Sequence, residues 1–167
     1  MVRVLSPGAY TAIVRGNGGT TGIGLVEAYD LSASAANSQL ANLSTRGFVQ
    51  AGNDVMIGGL ILGGGTGTNQ ILVRALGPSL GEFGIPNPLS NPTLGLYNGN
   101  GALLLSNDDW KQTQEADILA TGLAPGNDLE SALLALLSSG NYTAIVSGTG
   151  SAAGSTGVAL VEVYNLQ

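Results

Sequence analysis

The sequence predicts an all-β protein, an antiparallel β-sandwich or jelly roll with one or two short helices and an extra N-terminal β-hairpin. Three observations lead there. Of 167 residues, 44% are hydrophobic and only 10% charged, with 27 glycines and 6 prolines, a balance that suits short apolar strands broken by many turns. Runs of β-branched and aromatic residues recur between Gly-, Asn- and Pro-rich turns at the spacing of a sandwich. Finally, one stretch occurs twice, as LSPGAYTAIVRGNGGTTGIGLVEAYDL over residues 5–31 and LSSGNYTAIVSGTGSAAGSTGVALVEVYNL over residues 137–166. Leu5 to Gly16 align with Leu137 to Gly148 without a gap, and Thr21 to Leu31 with Thr156 to Leu166. The length differs only in the Gly-rich loop, where an insertion meets solvent and leaves both strands intact. Each copy reads as a β-hairpin.

In chain order, YTAIVR (10–15) and IGLVEAY (23–29) are the strands of the first hairpin, which makes residues 1–31 a unit suited to docking on a neighbour. SASAANSQLAN (32–42) has little to bury and reads as a linker, with a short helical turn as the alternative. The sandwich then occupies 43–167. Its first strands are LSTRGFV, DVMIGGLIL and NQILVRAL, separated by QAGN and GGGTGT, with Gly58 and Gly59 marking a bulge or a close backbone approach. Pro78, Pro86, Pro88 and Pro92 forbid regular structure and predict a surface-packed loop. PTLGLYN and ALLLSN form a hairpin about the Asn-Gly turn NGNG. KQTQEADILATG (111–122) is helix-like, with Asn107, Asp108 and Asp109 as candidate caps, whereas LESALLALL (129–137) suits a buried strand or a short helix equally.

Charge and composition exclude several functions. The net charge is −6, and the five basic residues, Arg3, Arg15, Arg46, Arg74 and Lys111, form no stripe that could neutralise phosphates, so nucleic acid is not an expected partner. There is no cysteine and no histidine, which removes disulfides, thiolate metal sites and the commonest general base, and no enzymatic activity is expected. No apolar run has the roughly 20 residues of a transmembrane helix. A surface this poor in charge favours self-association.

The run PTLGLYNGNGALLLSNDDW, followed by Glu130-Ser131-Ala132, GNYTAIVSG and GVALVEVY, resembles the small β-sandwich modules of bacterial secreted proteins such as the prepeptidase C-terminal type. LSTRGFVQAGNDVMIGGLILGG together with ILVRALGPSL looks like a repeat module of large surface proteins from environmental bacteria, and is similar to subunits of extracellular β-sandwich filaments. That resemblance covers about Leu5 to Leu166. It implies an extracellular or cell-surface location and a role in binding, adhesion or assembly without catalysis. A single module should end in one VALVEVYNL hairpin, whereas this chain also begins with one, in the order of a window cut from a tandem array.

Candidate sites follow from the residues. The loops GNGGTTG, GGGTGT and GTGSAAG lack the Gly-Lys-Ser/Thr of a phosphate loop and read as strand connections. No cofactor is expected, and Ca²⁺ on Asp108 and Asp109 is the one candidate ion, against the simpler explanation of a cap and a solvated turn. Glu27 and Glu162 occupy equivalent strand positions, where an inward carboxylate needs a partner such as Arg46 or Arg74 and an outward one would discourage wrong pairing. Two acids flanking a sugar cleft are not expected with Trp110 the only tryptophan. Asn42 and Asn141 fit the glycosylation sequon, and Asn91 is excluded by Pro92. The expected function is a structural subunit of an extracellular filament or surface array, a head-to-tail homopolymer in which the N-terminal hairpin docks on a neighbour through Tyr10, Ile13, Val14, Leu25, Val26 and Tyr29. The alternative is a monomeric extracellular carbohydrate-binding or adhesion module, stabilised by calcium.

Overall fold

The computed structural model describes residues 2–31, 40–63, 66–149 and 156–166. The chain divides into two units, Met1–Leu40 and Ala41–Gln167. The second unit holds eight strands: β1 (Asn42–Val49), β2 (Met56–Leu62), β3 (Thr68–Leu76), β4 (Pro92–Asn98), β5 (Leu103–Asn107), β6 (Ser131–Ser138), β7 (Gly140–Gly148) and β8 (Gly157–Asn165). They form two four-stranded sheets in the orders β1-β8-β3-β6 and β2-β7-β4-β5. Every strand pairing is antiparallel. This is a jelly roll, in which β1 pairs with β8, β2 with β7, β3 with β6 and β4 with β5 along one folded ribbon.

The ribbon explains why only one pair of consecutive strands is a hairpin. β4 and β5 share a sheet and are joined by a tight turn, in which Asn98 Oδ1 accepts from the main-chain N–H groups of Asn100 and Ala102, both at 3.0 Å, and Gly101 takes φ 78°. The expected second hairpin over 137–166 is corrected by the structure. β7 and β8 lie in different sheets and face each other across the core, because they follow one another along the same strand of the ribbon. A strand-loop-strand sequence reads alike in both cases.

Alternation builds the core. Ile71, Val73 and Ala75 of β3, Leu94 and Leu96 of β4, Ala144 and Val146 of β7, and Ala159, Val161 and Val163 of β8 point inward and pack as one cluster. Gly58 is needed there, since a Cβ would come within 3.2 Å of Val161, whereas Gly59 faces open space. LESALLALL resolves as β6, a strand apolar on both faces, whose outer face is covered at Ala132 and partly at Leu134 while Leu136 stays exposed. Leu133, Ala135 and Leu137 meet the core, while Ala132 joins Leu72, Trp110 and Ile118 in a second cluster on the outer face. The helix expected over 111–122 is shorter, a 3₁₀ turn at Trp110–Gln112 and α1 at Glu115–Ala120. Gln114 separates them at φ 57°, and its amide both donates to the Leu134 carbonyl (2.8 Å) and accepts from the Leu134 N–H (3.1 Å). Asp109 precedes the 3₁₀ turn without a side-chain cap bond.

The proline-rich segment, expected to lack regular structure, holds a 3₁₀ helix at Pro78–Phe83 and runs into β4 at Pro92, and it is anchored from inside. Leu80 and Leu89 are buried, and Gly77 passes so close to Leu89 that a Cβ would lie 2.1 Å from its carbonyl oxygen. Glu130, with no exposed surface, fixes this corner: its Oε1 accepts from the N–H groups of Gly77 and Ser79 (3.1 Å each) and from Ser79 Oγ (2.5 Å), and its Oε2 from the Asn127 N–H (3.3 Å). Removing it strands several buried donors, so Glu130→Ala is expected to cost about 3 kcal/mol or more. Glu130→Gln, which retains an acceptor oxygen, is expected to cost less. Urea unfolding followed by the fluorescence of buried Trp110 checks both.

Candidate assembly site

Residues 2–31 reverse direction at a 3₁₀ turn, Asn17–Gly19, with Gly18 and Gly19 at φ 65° and 78°. The arms on either side are extended and approach each other, a Cβ on Gly24 lying 3.8 Å from Val14 Cγ1. The expected hairpin thus has its reversal, but no strand ladder is present among the described residues of this unit. Two strands with no third strand or helix to pack on gain too little burial to hold a ladder against water.

What the unit retains is local, and it matches β7 and β8 residue by residue. Tyr10 Oη donates to the Ser6 carbonyl at 2.7 Å, and Tyr142 Oη to the Ser138 carbonyl at 3.0 Å. In both, the ring lies over a glycine two residues earlier, 3.7 Å from a Cβ on Gly8 and 3.6 Å from one on Gly140. Tyr29 Oη donates to Glu27 Oε1 at 3.0 Å, and Tyr164 Oη to Glu162 Oε1 at the same distance. The Glu27 hydrogen bond, and then its charge, raise the phenol pKa of Tyr29, whereas burial is the first cause of the same direction at Tyr164.

In the sandwich the Glu162–Tyr164 pair closes on Arg74, its partner in the β3–β8 ladder. Arg74 Nε donates to Glu162 Oε2 at 2.9 Å, Nη2 also donates to Glu162 and to Tyr164 Oη, and Nη1 donates to the Leu123 carbonyl at 2.7 Å. The guanidinium lies 5.1 Å from the Tyr164 ring centroid. Glu162 thus has the Arg74 partner that an enclosed carboxylate requires.

The six residues expected to dock separate by face. Val14 is 62% exposed and its counterpart Val146 is 0% exposed; Val26 is 54% exposed and Val161 is 2%. Tyr10 corresponds to Tyr142, at the rim of the core, and Tyr29 to Tyr164, in the outer cluster. Ile13 and Leu25 correspond to Ile145 and Leu160, which are half-buried on outward faces. Residue-by-residue hydrophobicity misses Ala12, Gly22, Gly24 and Ala28, whose counterparts Ala144, Gly157, Ala159 and Val163 are all buried. Period-two spacing, from Ala12 to Val14 and from Gly22 to Ala28, was the signal that could have found them.

The other candidates belong to the sandwich unit. Asp109 Oδ2 accepts from Gln112 Nε2 at 2.7 Å, while its Oδ1 is enclosed without a partner. With its amide nitrogen turned toward them, Asn91 donates to Asp108 Oδ1 (3.2 Å) and to the Leu129 carbonyl (3.0 Å). Among the described residues no group of three acidic, histidine or cysteine side chains gathers around a cation position. Asn42 and Asn141 are both exposed, and Asn42 Nδ2 donates to the Val163 carbonyl at 3.4 Å. The free edge of β6 is covered in part by side chains, with Asn107 Oδ1 accepting from the Ala132 N–H, Gln114 on Leu134, and Tyr142 on the Ser138 carbonyl. No helix among the described residues is long and apolar enough to cross a membrane.

No protein-family model matches the sequence, and none of the curated proteins matches it.

Burial, with the adjacent Asp109 charge second, raises the Asp108 pKa. A carboxyl with a raised folded pKa destabilises the native state while ionised, and that cost fades as pH falls through the folded value toward the ordinary one. Asp108→Asn is therefore expected to stabilise the protein at neutral pH and to lose this advantage below a pH of about 4. Urea midpoints collected across that range give the test.

Proposed function

We propose that this chain is a structural module of an extracellular filament or surface array, in which sandwich units are joined head-to-tail through residues 2–31. One observation carries the reading: the sequence of two interior strands of the sandwich is repeated in residues 2–31, where its large apolar side chains are exposed. Val14, Val26, Tyr10 and Tyr29 are more than half exposed, as are Ile13 and Leu25. Val14 and Val26, whose counterparts are fully buried, offer roughly 1.5 to 3 kcal/mol each, and Tyr10, Tyr29, Ile13 and Leu25, whose counterparts are half-buried, add a smaller share each, before ordering and association costs. A neighbouring sheet would also supply main-chain hydrogen bonds that the segment does not make on its own. Donor segment and acceptor sandwich are different surfaces, so the contact is heterologous and repeats into a line when it does not close into a ring. Placement outside the cell follows the resemblance to secreted modules.

Removing residues 140–167 leaves one donor segment and one incomplete sandwich in each chain. That variant is expected to form linear polymers visible in electron micrographs, with a mass by light scattering that rises with concentration. Removing residues 2–31 as well is expected to abolish them. A variant carrying 2–31 that stays monomeric at every concentration would overturn the assembly reading.

A further inference from the structure

β7 and β8 occupy interior positions. β8 lies between β1 and β3, and β7 between β2 and β4. Taking them away splits each sheet and opens one continuous seat, lined by strands on both sides and by the far sheet beneath. We infer that residues 9–16 and 22–30 are addressed to such a seat, that of another jelly roll of this kind whose own β7–β8 pair is absent or displaced, and that Glu27 and Tyr29 recognise there an arginine placed as Arg74 is. This rests on the assembly reading and names the partner it needs.

Three features of the segment serve no purpose where it now stands and match the seat. The first is Gly22. Nothing lies within 4 Å of a Cβ placed on it, so no local contact requires glycine. Its counterpart Gly157 cannot be anything else, because a Cβ there would meet Leu89 N and Cα at 2.7 Å and the Pro88 carbonyl carbon at 2.8 Å. That approach is fixed by main-chain bonds from Leu89 N to the Val158 carbonyl and from Val158 N to the Asn87 carbonyl, both 2.8 Å. The second is the pair Glu27 and Tyr29. It holds the geometry of Glu162 and Tyr164 without the guanidinium those two enclose. The third is the small inward row of Ala12, Gly24 and Ala28. Its counterparts Ala144, Ala159 and Val163 are all buried, so the row carries no side chain too large for the seat.

The same comparison says which sandwich the segment does not enter. Ala159 and Val163 fill their positions with more apolar volume than Gly24 and Ala28, and β8 is tethered to its own frame. The native pair therefore holds its seat against the segment. A second copy therefore accepts the segment only where its own β7–β8 pair has left the seat, and the acceptor in the array is a β1–β6 frame with the seat open.

The full-length chain can report this when its own pair is disabled. Gly157→Val drives a side chain into Leu89, and Glu162→Arg sets two guanidinium groups against each other. In a chain carrying both changes, residues 2–31 are expected to take the vacated seat, leaving Trp110 buried and the protein folded. Adding Gly22→Val and Glu27→Arg is expected to reduce the folded-to-unfolded ratio at least about tenfold, a difference of about 1.4 kcal/mol. Equal folded fractions in the two variants overturn the inference, whether both are folded or both unfolded. The outcomes also separate it from the assembly reading. Polymers of the 140–167 deletion with no effect of Gly22→Val and Glu27→Arg keep assembly and discard this seat. Rescue in the full chain with no polymers from the deletion keeps the seat and discards assembly.

Discussion

Everything in the sandwich depends on two strands that arrive late in the chain and sit in the middle of the structure. Without β8, β1 has no ladder to β3, and without β7, β2 has none to β4. Their inward side chains, Ala144, Val146, Ala159, Val161 and Val163, also form the centre of the apolar core. A jelly roll closes its sheets only when such interior strands are in place, because main-chain groups left on both sides of the gap lose their partners together. An interior pair is thus worth far more to this fold than an edge strand of the same composition. A spare copy of it is correspondingly specific in what it can complete.

The remaining contacts hold that geometry at its corners. Glu130 gathers the donors of the turn after β3, and Leu89 and Pro88 close over Gly157 so that β8 enters at one height only. Arg74 then fixes β8 sideways against β3 and reaches the Leu123 carbonyl of the covering segment. A half-buried ion pair of this kind contributes little when compared with a well-packed apolar pair, yet leaving one member alone is costly. Here it holds β8 in register against β3, with Glu162 and Tyr164, two residues apart, both bonded to the guanidinium.

Much of the architecture was legible in the sequence, and the exceptions have physical reasons. β1 to β5 follow from short apolar and β-branched runs between turn signals, and the Asn-Gly turn after Asn98 identified the one hairpin of consecutive strands. β6 was undecidable because Leu134, partly covered, and Leu136, exposed, place large apolar side chains on the outer face and erase alternation. The copies at 5–31 and 137–166 were plain as a repeat but not as an arch, because local sequence records extension and reversal without recording which sheet each arm joins. Glu130 showed no signal beyond standing at the start of an apolar run. Its importance comes from Gly77 and Ser79, which lie some fifty residues away in sequence. Of the docking residues, the large ones were visible and the small inward row was not, since glycine and alanine look like loop composition until a register assigns them a face.

The ribbon also carries a consequence in time. Its tip is the β4–β5 turn, and each further rung pairs segments more distant in sequence, ending with Asn42 opposite Tyr164. Closure from the tip keeps every step a short loop extension, whereas beginning at the open end would require a loop spanning nearly the whole sandwich. The interior strands are then the last to zip, and a half-zipped chain passes through a state with its centre open. Guarding that interval, by keeping such an intermediate brief or briefly covered, is a kinetic burden this topology imposes whatever its final stability.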